Sequence, residues 1–432
     1  SARTPCARHR QGRPQNGPRS GRQTLPPHRD LADGECLLFS RNGNHADEEQ
    51  QGRRTGGRRG EGGTGDTGRV PEMAHGARAP RGNRAPGGRR EWKMAIRGDG
   101  SCPTNLAPAG GWSSGGPNKG LTAMFVFMNA ARLGVGMQSL GLTEVAYQNA
   151  LIYAKDRIQM RSLSGVKAKD RLADPIIVHP DVRKMLLTAK AYAEGGRAMA
   201  CYCAMLLDKY LYHPDEKVRK DSDELLALLT PIVKAFITDN GFAATVMCQQ
   251  VFGGHGYIKE SGMEQFVRDA RINMIYEGTN TVQSLDLLGR KILGNNGASL
   301  KKFGKLVGAL VEQEGVNEKM AEFINPLAVL GDQMTKFTTE IGFKGFQNPD
   351  EVGAAAVDYL RVAGHLVFAY FFARMAQVAL REIAAGNTDP FYPAKLQTAR
   401  FYFAKLLPET ATLMRTARAG AKSLMDTDLA LA

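Results

Sequence analysis

Residues 1–91 contain no lysine, no isoleucine and no tyrosine. They hold 18 arginines against 10 acidic residues, among many glycines, prolines and glutamines. Such a segment cannot bury enough apolar surface to offset the entropy of ordering its chain, so it reads as disordered. Arginine without lysine is an odd composition for a polyanion-binding arm; it is what a wrong-frame translation of GC-rich coding sequence yields. The chain also begins at Ser1 and reads as a fragment. Six cysteines, at 6, 36, 102, 201, 203 and 248, form no CxxC pair and no metal-ligand spacing, so no metal site is expected. Small core residues in a reducing cytosol are the expectation for them. No uninterrupted apolar run reaches the roughly 18 residues that cross a bilayer, and no targeting segment is read at the N-terminus. Fixed-period repeats are absent.

The formal charge of +14 is unevenly spread. The first 91 residues account for a surplus of 8 and the rest of the chain for only 6. The folded part is therefore mildly basic, and no nucleic-acid partner is expected for it. Residues 92–119 are glycine-rich and short-patterned, and read as strand and turn. From residue 120 onward the pattern is helical. Helices are expected over 121–162, 181–212, 216–252 with a bend at Pro231, 261–272 and 280–293. Three longer helical patterns follow over 299–344, 350–386 and 391–427. Breakers at His213-Pro214 and Gly294-Asn-Asn-Gly297 separate them. The fold class is mainly α: a disordered segment (1–91), a strand-and-turn stretch (92–119), a helical bundle (120–297) and a further helical module (298–432).

One carboxylate stands out. Glu277 lies in Met274-Ile-Tyr-Glu-Gly-Thr-Asn280, with apolar residues before it and a glycine after it. Gly278 permits backbone that other residues avoid, and Thr279 or Asn280 can cap the helix that follows. Glu277 is either an acid favoured by a helix start or a base held in an apolar pocket. Upstream, Gln250-Val-Phe-Gly-Gly-His-Gly-Tyr257 offers bare glycine amides that can approach a phosphate. Taken singly, Arg132 and Arg157 read as solvated helix arginines, Arg268, Asp269 and Arg271 as an ion-pair cluster, and His179 and His255 as turn and loop residues.

Together, QxFGGxGY at 250–257 and RDxRxxxIYEGT at 268–279 form a long composite pattern. It resembles the acyl-CoA dehydrogenase family, FAD-dependent enzymes that desaturate acyl-CoA thioesters. Phe127-Met-Asn-Ala-Ala-Arg132 and Ala154-Lys-Asp-Arg-Ile-Gln159 are similar to further segments of that family. Residues 399–410 are similar to the C-terminal extension of its longer branch. The resemblance implies Glu277 as catalytic base. It implies cofactor contacts at Arg157, Gln250, Val251, Phe252, Gly253, Gly254, Thr279 and Asn280, with Arg157 meeting the FAD of a neighbouring subunit. It implies substrate contacts at Asn129, Arg132 and Gly278. FAD as cofactor, acyl-CoA as substrate, an electron-transfer flavoprotein as acceptor and a homodimer or tetramer follow from the same resemblance. The family's N-terminal helical domain and most of its β domain have no counterpart in residues 1–91, so impaired activity is expected of this chain. The reading from a different class is a non-enzymatic helical scaffold, or an inactive fragment, with a basic polyanion-binding arm.

Overall fold

In the computed structural model, residues 93–96 and 119–429 are described. The segment expected to be disordered and most of the stretch expected as strand and turn fall outside them. Residues 93–96 are irregular, and among the described residues there is one isolated β-bridge, between Ile158 and Pro175, and no strand.

Three long helices open the bundle: α1 (Gly120–Asp156), α2 (Pro180–Tyr212) and α3 (Glu216–Val251). Pro180 suits the first turn of α2, where its missing N–H is not needed. Asp215 caps α3 by accepting from the Lys217 amide at 2.8 Å. α1 stops six residues short of the expected 162. The chain there turns around Asp174, which is fully buried and accepts from the amides of Ser162, Lys167 and Ala168. Those amides would otherwise have extended α1 or faced solvent. A short turn, α4 (Gly254–Tyr257), precedes α5 (Met263–Ile272). α6 (Asn280–Leu285) runs into a π-helical stretch, Asp286–Ile292.

The pattern expected as one helix over 299–344 is two, α7 (Ala298–Glu314) and α8 (Ala321–Gln347). The break is local. Asn317 accepts from the Lys319 amide at 3.2 Å and starts a new turn. α9 (Asp350–Ala384) follows as expected. The last pattern divides into α10 (Phe391–Phe401), a π stretch, α11 (Glu409–Arg418) and α12 (Lys422–Met425), with Pro408 opening α11.

All described residues fall in one compact unit. α9 runs through its centre and packs against α2, α3, α6, α8, α10 and α11. Two glycines permit the approach. A Cβ on Gly364 of α9 would lie 2.2 Å from the Phe236 ring of α3, and one on Gly195 of α2 would lie 2.6 Å from Phe368 of α9. The rings of Phe236 and Phe368 meet edge to face at 4.8 Å. α3 and α9 are long and apolar enough to cross a membrane, which qualifies the expectation drawn from apolar runs. The most apolar windows of the two helices are 78% and 67% buried inside the bundle, as core helices are.

A half-buried polar cluster fastens α11 to α9. Arg361 donates twice to Glu409, at 2.7 and 3.0 Å, and His365 bridges Glu409 (3.2 Å) and the Tyr402 hydroxyl (2.9 Å). Burial pushes the His365 pKa down, against the pull of Glu409. Burial pushes Glu409 up, but the bonds from His365 and Arg361 outweigh it and hold the carboxyl at about 2. Both shifts have the same sign in their effect on stability. Below the unfolded histidine pKa of 6.5 the unfolded chain takes up a proton that buried His365 refuses. The stabilisation from Glu409 is complete above 4.5 and lost as pH falls through about 2. Urea midpoints should therefore fall steadily from pH 7 to pH 3, and Glu409→Gln should flatten the dependence below pH 4.5. A midpoint that does not change over that range would contradict this role for the cluster.

Candidate active site

The loop between α5 and α6 carries Glu277. Its backbone is left-handed at two successive residues, Glu277 with φ +57° and Gly278 with φ +82°. Gly278 adopts this freely; for Glu277 it costs about 1–2 kcal/mol. Such strain persists only where surrounding contacts over-determine it. Here they do. Gln283, fully buried, donates to the carbonyls of Glu277 (3.2 Å) and Gly278 (3.3 Å). Lys234 of α3 donates to the Gly278 carbonyl and to Asn280 Oδ1, both at 2.8 Å. The Asn280 amide donates to the Met274 carbonyl at 3.1 Å, and the Tyr276 hydroxyl donates to Gln138 of α1. Thr279 caps α6 through its hydroxyl. The Glu277 side chain is half-buried.

Beneath the loop lie two cations and two acids. Lys234 is 0% exposed. Burial pulls its amine down to about 8, with Asp239 and Glu277 opposing and Arg132 adding to the shift. Asp239 is raised by its own burial, while its bond from Asn280 Nδ2 (2.5 Å) opposes the shift. Arg132 of α1 is buried, 3.8 Å from Asp286, and its Nη2 lies 3.7 Å from where a Gly278 Cβ would be. Arg132 is thus no solvated helix arginine. Its Nε, Gln283 Oε1 and both polar atoms of the Asn273 side chain are buried without a partner among the described residues. Buried polar atoms are normally paired, so this concentration around one loop marks a place where a ligand could supply partners.

A second concavity, a cleft of about 500 Å³, lies at the far end of α1. Its lining includes Arg157, Gln250, Val251, Phe252, Gly253 and Gly254, six of the expected cofactor contacts. The Phe252 ring stacks on Tyr153 with centroids 4.1 Å apart. Gly253 has φ +57°, and a Cβ on Gly253 or Gly254 would meet open space, so the backbone is bare on that side. Arg157 is exposed at the end of α1. The Gly253 amide itself donates to the Gln250 carbonyl at 2.9 Å. An exposed guanidinium, backbone that a ligand can approach closely and a stacked aromatic pair suit a diphosphate joined to a flat ring. His179 and His255 also line this cleft, bonded to the Gln159 carbonyl (3.0 Å) and the Tyr153 hydroxyl (3.2 Å).

The structure therefore places the expected residues in two groups. Glu277, Gly278, Thr279, Asn280 and Arg132 gather at the loop, and Arg157 with 250–254 gathers at the cleft. Tyr153 lies fifteen residues beyond Gln138 on α1, about 22 Å of helix. The side chain of Asn280 is turned into α3, bonded to Lys234, Thr238 and Asp239, and that of Asn129 falls outside the described residues. Of the expected ion-pair cluster at 268–271, Arg268 is ion-paired among the described residues, with a partner outside the cluster. Arg268 pairs with Glu264 at 2.5 Å, Asp269 accepts from the Ile96 amide at 3.1 Å, and Arg271 sits over the Phe242 ring. Sequence reasoning missed Lys234, Gln283 and Asp239. A lone lysine inside Ile232-Val-Lys-Ala-Phe236 was the available signal, since such a residue is either misplaced or paired in the core. Cys203 and Cys248 are buried and burial pushes both thiols up to about 12, as inert core residues.

Two family models match the chain. "Acyl-CoA dehydrogenase, C-terminal domain" matches residues 118–293, and "Acetyl-CoA dehydrogenase C-terminal like" matches residues 303–428. Among curated proteins, 3-methylmercaptopropionyl-CoA dehydrogenase of Ruegeria pomeroyi is 36% identical over 323 residues, covering 74% of this chain and 54% of that protein. The broad-specificity linear acyl-CoA dehydrogenase FadE5 of Mycobacterium tuberculosis is 30% identical, with the same coverage of 74% and 54%. Caenorhabditis elegans ACDH-11, solved in complex with C11-CoA, shares the fold with a TM-score of 0.63 at 19% identity, over 79% of this chain and 54% of that one. The chain belongs to the acyl-CoA dehydrogenase family. It spans about half the length of the curated relatives it matches.

Proposed function

We propose that this chain supplies the C-terminal part of an FAD-dependent acyl-CoA dehydrogenase, in which Glu277 removes the α-proton of the acyl thioester. The observation that carries this reading is the left-handed, multiply anchored backbone at Glu277. A weakly acidic α-proton needs a base at a fixed position, because misplacement by an ångström loses most of the rate. A flavin held by Arg157 and residues 250–254 would supply the acceptor for the β-hydride. The residues of this chain do the rest. Glu277 holds the proton, while Gln283 and Lys234 fix the loop. Arg132 places positive charge beside Gly278.

The cleft at Arg157 and 250–254 would hold the adenosine diphosphate part of FAD. It lies about 22 Å along α1 from the neighbourhood of Glu277, so a single chain does not bring the two to one short ligand. This separation supports a site completed between copies, with Arg157 serving the cofactor of its neighbour, in a homodimer or tetramer. An electron-transfer flavoprotein as acceptor follows from family membership. Arg157→Ala should weaken binding of ADP to the full chain about tenfold, the worth of one charge-assisted contact, as read by calorimetry. Unchanged affinity would remove the cleft from the cofactor site. Binding of ADP that ignores Arg157 but falls steeply with salt and tracks residues 1–91 would favour the polyanion-binding arm instead.

A further inference from the structure

The lysine under the loop is the most unusual group in the molecule. Its ammonium is 0% exposed in the middle of an apolar helix run, and an isolated buried cation is strongly disfavoured. It is retained with two acceptors at 2.8 Å, the Gly278 carbonyl and Asn280 Oδ1, which are the residues just after Glu277. The carbonyl of Gly278 thus receives both Lys234 and Gln283, and the amide of Asn280, two residues on, is tied to Met274. We propose that Lys234 is a positioning residue for Glu277, whose charged bonds hold the Glu277–Gly278 backbone in its left-handed form and so fix where the carboxylate stands.

This rests on the reading of Glu277 as the base, yet the two can fail separately. The charged groups that face Lys234 are Asp239 on its own helix, Arg132 on α1 and Glu277 on the loop. Asp286 sits behind Arg132, and Arg361 of α9 acts on Asp239. Asp239 and Glu277 favour the ammonium; Arg132 and burial oppose it. The amine therefore stays charged at neutral pH and gives up its proton near 8, far below an ordinary lysine. A neutral amine still donates, but a charge-assisted bond is about twice as strong as a neutral one. The grip on the loop should weaken as pH rises through about 8.

Rapid-labelling hydrogen exchange on the full chain tests this, with each rate divided by its intrinsic rate at that pH. Protection of the 274–282 segment should fall about five- to tenfold between pH 7 and pH 9, while protection within α2 stays constant. Lys234→Met should show the low value already at pH 7, and Lys234→Arg, which keeps its charge, should show no step with pH. Protection that is flat across this range in the wild type overturns the proposal, and so does a Lys234→Met loop as protected as wild type. If Lys234→Met does not fold, the wild-type profile decides alone. In FAD-loaded protein, a Glu277→Gln variant that keeps full turnover would remove the base reading while leaving the exchange result intact.

Discussion

Glu277→Gln is expected to slow reduction of bound flavin by an acyl-CoA about a thousandfold or more, with the fold unchanged. A positioned general base contributes roughly 10²–10⁴ in rate, and a glutamine amide cannot take the α-proton. The substitution keeps the size of the side chain, and none of the bonds that hold the loop uses the Glu277 carboxylate. Gln283 binds the Glu277 carbonyl, Lys234 binds the Gly278 carbonyl, and Asn280 pairs with α3. Stopped-flow bleaching of FAD-loaded protein measures the rate, and the urea midpoint checks the fold. A variant that reduces flavin at the wild-type rate would sink Glu277 as the base.

The second large effect concerns residues 298–432. The family models divide the chain between 293 and 303, as though two modules were joined there. The packing does not divide there. Phe236 of α3 meets Phe368 and His365 of α9, with ring centroids at 4.8 and 5.0 Å, and Gly195 of α2 closes on Phe368. One apolar core runs from Leu140 through Leu228, Leu229 and Phe236 to Phe368, Phe372 and Ala417. Ending the chain after Gly297 would strip the cover from several side chains worth about 1.5–3 kcal/mol each, against a total domain stability of about 5–15 kcal/mol. The shortened chain should show no cooperative urea transition by circular dichroism. A sigmoidal transition with a midpoint near that of the full chain would mean that the bundle stands without α9.

How much of this was readable before the structure differs between elements, for physical reasons. The long helices were legible because their apolar periodicity and their proline breaks are local: 180–212, 216–251 and 350–384 came within about two residues of the expected ends. The end of α1 was not, because the loop after Asp156 is organised by Asp174, eighteen residues further on. The break at 315–317 was missed because a single glycine and an asparagine are weak signals inside a strong helical pattern. The site followed the same division. The residues of 250–254 share a cleft partly because they are contiguous, and Glu277 was marked by its neighbours in sequence. What holds Glu277 could not be read. Lys234 and Gln283 meet the loop only after α3 and α6 have packed, and Arg132, an ordinary helix arginine in sequence, becomes buried only when α1 crosses the same loop.

The central claim is that the chain holds a flavin-facing base. Its most direct test is the visible absorption spectrum of the purified chain after incubation with FAD and desalting. The account predicts a retained flavin band that bleaches when an acyl-CoA is added, and bleaching that is lost in Glu277→Gln. A colourless chain would be the impairment expected where most of the β domain has no counterpart; a retained band that the thioester leaves unchanged would contradict the account.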